Sequence, residues 1–147
     1  MRILCVCLGN ICRSPMAEGT LRAMGEAAGL ALEVDSAGTS GWHIGEPPQP
    51  EGLAAAAARG YDNSAQRARQ VSAADFHDFD LILAMDRRNL AKLESLAPPQ
   101  GRAELRLFHP AGHEIPDPYG EGPAAYERTL DLVETAARAL IAELAAR

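Results

Sequence analysis

The chain has 147 residues, 47% hydrophobic and 23% charged, a balance that suits one globular domain over residues 1–147. A formal net charge of −6 argues against nucleic acid as a partner, and no apolar run approaches the roughly 20 residues of a membrane span. The opening MRILCVCLGN turns polar too soon for a signal peptide, and Cys5, Cys7 and Cys12 are no secreted disulfide framework, so a cytoplasmic location is expected.

Arg2–Val6 reads as a short buried strand, followed by the octapeptide CLGNICRS, Cys7 to Ser14, and then by a helical pattern opening at Pro15. A strand, a loop with glycine and Asn, and a helix N-terminus make a cradle in which several N–H groups converge on one anion. The residues at its two ends give it a chemistry. Cys7 becomes a nucleophile as thiolate, which loop amides, a helix N-terminus and a nearby cation all favour. Arg13, six residues on, can hold two phosphoryl oxygens in a planar fork, which lysine cannot. Gly9 and Asn10 tolerate the backbone that an inward-turned loop needs. Ser14 is placed to cap the helix and is near enough to Cys7 to assist it. Leu8, Ile11 and Cys12 complete the loop. The nucleotide P-loop fits poorly, because no Gly-Lys-Ser/Thr closes it and no lysine lies near it.

The first helix is expected to run from Pro15 to about Gly29, with Met16, Leu21, Met24 and Ala28 on its inner side. Leu30–Ala37 alternates like a strand, and strand–helix–strand within forty residues is a right-handed parallel unit with its ligand site at the strand C-termini. Trp42–Pro48 is a loop holding the sole tryptophan, which either caps the core or walls a ligand. Glu51–Arg59 is an alanine-rich helix stopped by Gly60, and Tyr61–Val71 is irregular, with Arg67 and Arg69 expected on a solvated surface. Ser72–Asp75 resembles a capping box before a short helix. Asp80–Met85 is a continuous apolar run suited to a central parallel strand, and Asp86 then caps a helix through Leu90, Leu93 and Leu96. Ala103–Phe108 is a fourth strand. His109–Gly122 is a loop, and Pro123–Arg147 is a long amphipathic helix with Leu130, Val133, Ala137, Leu140, Ile141 and Leu144 inward.

Within the last loop, Pro116-Asp117-Pro118-Tyr119 is the second chemical feature. By itself Asp-Pro starts a turn. Beside a phosphate cradle, a carboxyl stiffened by two prolines at the same edge of the sheet can protonate a leaving oxygen. The four histidines are scattered and match no metal spacing.

CLGNICRSP, SAGTSGWHIGEPP and DPYG together resemble, in order and spacing, the low-molecular-weight protein tyrosine phosphatase family over essentially the whole chain. The resemblance implies an α/β, flavodoxin-like three-layer fold, with a four-stranded parallel sheet of order 2-1-3-4 flanked by about five helices. It implies Cys7 as nucleophile, Arg13 and the loop residues Leu8, Gly9, Asn10, Ile11, Cys12 and Ser14 as the phosphate site, and Asp117 as general acid. Trp42 and Tyr119 are then opposite walls of an aryl cleft, and Ser36 joins Ser14 in supporting Asn10. Gln66, an amide that can still donate where some relatives carry a supporting histidine, is a further candidate support for the loop, and Gly120 stands where many relatives carry a second tyrosine. Cys12 is implied as the redox partner of Cys7. No cofactor and no metal are expected. The implied partner is a phosphotyrosine-bearing protein, a tyrosine kinase included, with inorganic phosphate as product.

Two rivals share this fold. Arsenate reduction needs further cysteines, and none follows Cys12. Phosphoarginine-directed relatives bear a threonine in the loop where this chain has Ile11.

Overall fold

The computed structural model describes residues 1–147. Its elements are β1 (Arg2–Cys7), α1 (Arg13–Ala27), β2 (Glu33–Gly38), α2 (Pro50–Ala58), α3 (Asp75–Asp78), β3 (Leu81–Ala84), α4 (Arg87–Leu96), β4 (Glu104–Leu107) and α5 (Pro123–Ala145). The strands form one sheet of order β2-β1-β3-β4, parallel throughout, with the expected order and number of helices.

β1 shows how sequence period becomes architecture. Ile3, Leu4, Cys5 and Val6 are all 0% exposed because helices cover both faces of the sheet. Ile3, Cys5 and Cys7 join the core made with Met16 and Leu21 of α1 and Tyr126, Leu130 and Val133 of α5. Leu4 and Val6 join the opposite core with Phe76, Phe79, Ile82 and Leu93. Since side chains alternate along a strand, Cys7 must leave the sheet on the α1 side. This puts the last residue of β1 beside the N-terminus of α1.

Several boundaries differ from the sequence reading. β2 begins at Glu33, whose N–H donates to Met1 O, whereas Leu30 N–H still closes the end of α1 on Gly25 O. Leu30 and Leu32 pack as a hydrophobic return against the core instead of pairing. Ala28 lies past the end of α1 and is exposed, so the inner side of that helix is Met16 and Leu21, with Met24 partly buried. β3 and β4 are each shorter than their apolar runs, covering Leu81–Ala84 and Glu104–Leu107. Leu96 is 41% exposed, leaving Leu93 as the buried anchor of α4.

Candidate active site

The loop Cys7–Ser14 is held from behind, with its carbonyls turned away from its centre. Cys7 O accepts from Thr39 N–H, Leu8 O from Ser40 N–H, and Ile11 O from Gln49 N–H. The N–H groups of Leu8, Gly9, Ile11 and Cys12 donate to no backbone acceptor, which leaves a run of donors for an anion. Asn10 makes the turn possible with φ +58°, the one non-glycine residue in the left-handed region. The end of β2 passes so close that a Cβ on Gly38 would lie 2.8 Å from Leu8 O.

Cys7 Sγ accepts from Asn10 N–H at 3.3 Å and lies 3.0 Å from Ser14 Oγ. Ser14 does not cap α1. The helix starts at Arg13 with Cys12 at its cap position and no side-chain cap, and the Ser14 hydroxyl is buried against Asn10 and Cys7. Asn10 Nδ2 donates to Ser14 Oγ (2.8 Å) and to Ser36 Oγ (3.0 Å), as expected. Gln66 does not join them. Its Nε2 donates to Pro15 O and Asn63 Oδ1, both at 3.2 Å, so it braces the first turn of α1. The remaining atom of Asn10, Oδ1, accepts the N–H of Arg69 at 3.0 Å. The Arg69 guanidinium is not merely solvated, since it pairs with Asp35 and with the buried Asp75, whose carboxylate also accepts Ser72 N–H. Arg67 is exposed, as expected.

Arg13 is 2% exposed and reaches across the base of the cleft. Its Nη1 donates to Asp86 Oδ2 (2.6 Å) and to Ile115 O (3.1 Å), while Nη2 lies 3.8 Å from Asp117 Oδ2. Burial disfavours the charge, but Cys7, Asp86 and Asp117 outweigh it and keep the guanidinium protonated. Its Nε is buried without a protein partner, a donor available to a bound oxyanion. Asp86 serves two structures with one carboxylate: Oδ1 caps α4 through Asn89 N–H (2.8 Å) while Oδ2 fixes Arg13.

Asp117 comes from the loop after β4, with its side chain 44% exposed and Oδ1 accepting Tyr119 N–H at 3.1 Å. Trp42 (73% exposed) and Tyr119 (57% exposed) stand at the rim, so the tryptophan is a wall and no core cap. With Cys7, Cys12, Arg13 and Asp117 they line one cleft of about 160 Å³. His43 lines it too, a residue given no role from sequence. Its Nδ1 lies 2.8 Å from Glu46 Oε2, and its ring packs so near Gly9 that a Cβ there would lie 3.0 Å from Cδ2. Its proximity to Trp42 in sequence was the only available signal.

Cys12 Sγ meets Tyr126 OH at 3.3 Å, and burial pushes its thiol up to about 12, so Cys12 is neutral where Cys7 is surrounded by donors. The arrangement gives a sulfur, a fixed guanidinium, free amides and a carboxyl around one cleft.

The sequence profile described as low molecular weight phosphotyrosine protein phosphatase matches residues 2–147. The chain is 43% identical to a low molecular weight protein-tyrosine-phosphatase of Streptomyces coelicolor, over 96% of this chain and 92% of that one. It superposes on a low molecular weight phosphotyrosine phosphatase of Vibrio cholerae O395 with TM-score 0.91 and 38% identity, covering 98% and 96% of the two chains. A drosophila arginine phosphatase superposes with TM-score 0.91 and 32% identity, covering 98% of each chain. The chain therefore belongs to the low molecular weight phosphotyrosine protein phosphatase family.

Proposed function

We propose that this phosphatase hydrolyses phosphotyrosine in proteins by two displacements at Cys7, within a single domain spanning residues 1–147. The observation that carries the reading is the convergence of Cys7 Sγ, Arg13 and the free loop amides on one cleft that Asp117 overlooks. Cys7 attacks phosphorus while Arg13 and the amides of Leu8, Gly9, Ile11 and Cys12 bind the equatorial oxygens. Asp117, protonated, gives its proton to the departing phenol oxygen, whose pKa near ~10 makes it a poor leaving group unaided. The P–O bond breaks and a Cys7–phosphate bond forms. Asp117, now ionised, then accepts a proton from water as it attacks phosphorus. The S–P bond breaks, Cys7 leaves as thiolate, and inorganic phosphate is released. Trp42 and Tyr119 sandwich the aryl ring.

The partner is a phosphotyrosine-bearing protein, with a tyrosine kinase one class of candidate, and the location is cytoplasmic. Release of phosphate from a phosphotyrosine peptide tests the reaction. Cys7→Ser should lower kcat by about 10⁴-fold or more, because an alcohol replaces the thiolate. Retention of activity by that variant would remove the reading.

The arginine phosphatase among the structural neighbours supports a second reading, dephosphorylation of phosphoarginine. Ile11, buried in the loop and lining the cleft, favours the aryl substrate. Parallel assays on phosphotyrosine and phosphoarginine peptides separate the two. Arsenate reduction lacks its resolving cysteines, since Cys12 is the last in the chain.

Cys12 lines the same cleft as Cys7, which supports a protective disulfide after Cys7 is oxidised by peroxide to the sulfenic acid. Condensation of the two sulfurs releases water, and a thiol reductant restores both. The parent should regain more activity on reduction than Cys12→Ser does, and equal recovery counts against the disulfide.

A further inference from the structure

One buried hydroxyl of the helical core reaches the cleft from behind and has no part in the two displacements. Tyr126, on the inner side of α5, is 0% exposed, and its OH lies 3.3 Å from Cys12 Sγ. That sulfur is the hydroxyl's one hydrogen-bond partner. The ring has little room to turn away. Met16 of α1 shares its core, and α2 lies so close that a Cβ on Gly52 would be 3.4 Å from Tyr126 Cδ1. Resting on the reading of Cys12 as the redox partner of Cys7, we propose that Tyr126 is a positioning residue for Cys12. Its hydroxyl donates to Cys12 Sγ and so sets how fast that sulfur closes on an oxidised Cys7.

Each atom of this pair carries a hydrogen, and the cost of an orphan decides which one donates. A phenol O–H is a strong donor and a thiol S–H a weak one. If Cys12 donated, the hydroxyl hydrogen would be buried without an acceptor, the costlier of the two losses. Tyr126 therefore donates, which ties one lone pair of Cys12 to the core side. The rest of the sulfur is left to the cleft that Cys7 also lines. Burial pushes the Cys12 thiol up to about 12, and the Tyr126 hydrogen bond opposes that rise. Sulfur accepts poorly while neutral and far better as thiolate, so the bond is strongest in the reactive state. Cys5, the remaining cysteine, is 0% exposed and does not line the cleft.

The chemistry makes closure a race. The Cys7 thiolate attacks hydrogen peroxide, the O–O bond breaks, hydroxide leaves and Cys7 becomes the sulfenic acid. The Cys12 thiolate then attacks the Cys7 sulfur and the S–O bond breaks. The departing hydroxide takes up the proton that Cys12 released and leaves as water. A second peroxide competes for the same sulfenic acid and carries it to the sulfinic acid, which thiol reductants do not reverse. The speed of Cys12 therefore decides how much enzyme can be recovered.

Tyr126→Phe removes the oxygen and keeps the ring, so the packing is retained. Loss of the hydrogen bond should make the Cys12 thiol less acidic by about one pKa unit, which lowers its thiolate about tenfold. A more basic thiolate is also a better nucleophile, and with a Brønsted slope near ~0.5 the net loss in closure rate is about threefold. The competition itself is the readout. The enzyme is exposed to a series of peroxide concentrations and its remaining thiols are blocked. The tryptic peptide Ile3–Arg13, which carries all three cysteines, is then analysed by mass spectrometry. The disulfide has lost two hydrogens and the sulfinic acid has gained two oxygens. The peroxide concentration giving equal amounts of both scales with the closure rate, and it should fall about threefold in Tyr126→Phe. Cys12→Ser is the blank, with sulfinic acid and no disulfide. Turnover of phenyl phosphate by Tyr126→Phe should stay within about twofold of the parent, since the hydroxyl meets no substrate group.

An equal or higher crossover concentration in Tyr126→Phe overturns the proposal, because the hydroxyl would then be idle or would restrain Cys12. A larger fall in turnover also overturns it, since the hydroxyl would belong to phosphate binding. If the parent gives sulfinic acid and no disulfide, the redox pairing of Cys12 fails and the role of Tyr126 with it. If the parent forms the disulfide while the crossover is unmoved, only the role of Tyr126 fails.

Discussion

The two sides of the cleft are built differently. On the grip side, Asn10, Arg13 and Ser14 are at most 2% exposed, and every polar atom of the Asn10 amide has a partner. On the rim side, Asp117, Trp42 and Tyr119 are exposed and touch little. A developing negative charge is stabilised most by donors fixed before the reaction, so the grip is rigid. A leaving group and its protein must enter and depart, so the rim carries few commitments. The anion site is therefore part of the folded core, and the selection of what is attached to the anion is not.

Substitutions should sort along that division. The largest effect is expected at Arg13→Lys, which loses the fork and disturbs the Asp86 pair. It should lower kcat/KM by about 10³-fold and also lower the melting temperature. An active Arg13→Lys would mean that charge, not planar geometry, holds the phosphoryl group.

Asp117→Asn comes next, with kcat reduced by about 10²–10³-fold on phenyl phosphate and markedly less on p-nitrophenyl phosphate, whose phenolate leaves more readily. Its unfolding free energy should stay within about 0.5 kcal/mol of the parent, which denaturant titration checks. A stability loss as large as that of Arg13→Lys would erase the distinction between the two sides.

Gly38→Ala probes the grip from behind. The added Cβ meets the Leu8 carbonyl at 2.8 Å, and backbone cannot swing aside as a side chain can. A loss of about 1–3 kcal/mol in unfolding free energy is expected, together with reduced affinity for inorganic phosphate as an inhibitor. Unchanged phosphate inhibition would show that the loop is more compliant than its hydrogen bonds suggest. The smallest effect is expected at Trp42→Ala, a several-fold rise in KM for aryl phosphates (about 1 kcal/mol) with kcat and melting temperature little altered.

The readable parts of the molecule were the local ones. The apolar runs of β1 and β3 marked central strands because both faces of each are covered, and Asp86 marked the start of α4 because an N-cap is a contact between near neighbours. The strand–loop–helix order around CLGNICRS predicted the cradle for the same reason. The contact of Gln66 is not legible in the sequence, because which carbonyl its amide reaches depends on how the 59–71 loop lies over α1. Arg69 looks like surface in the sequence because two of its three partners, Asp35 and Asn10, come from distant parts of the chain. Ser14 looks like a cap in the sequence because the competing claim on its hydroxyl belongs to a loop conformation that the left-handed Asn10 creates.

By itself the sequence determined the period of each strand and helix, the face on which Cys7 emerges, and the chemical types gathered at its ends. Those follow from backbone geometry and from interactions a few residues long. Only the tertiary structure decided that Asp86 fixes Arg13 while capping α4, that Arg69 fixes the Asn10 amide, and that Glu18 accepts the Ser36 hydroxyl behind the loop. Each joins segments well separated in the chain or depends on which of several available acceptors lies nearest, and hydrogen bonds are settled by distance in space.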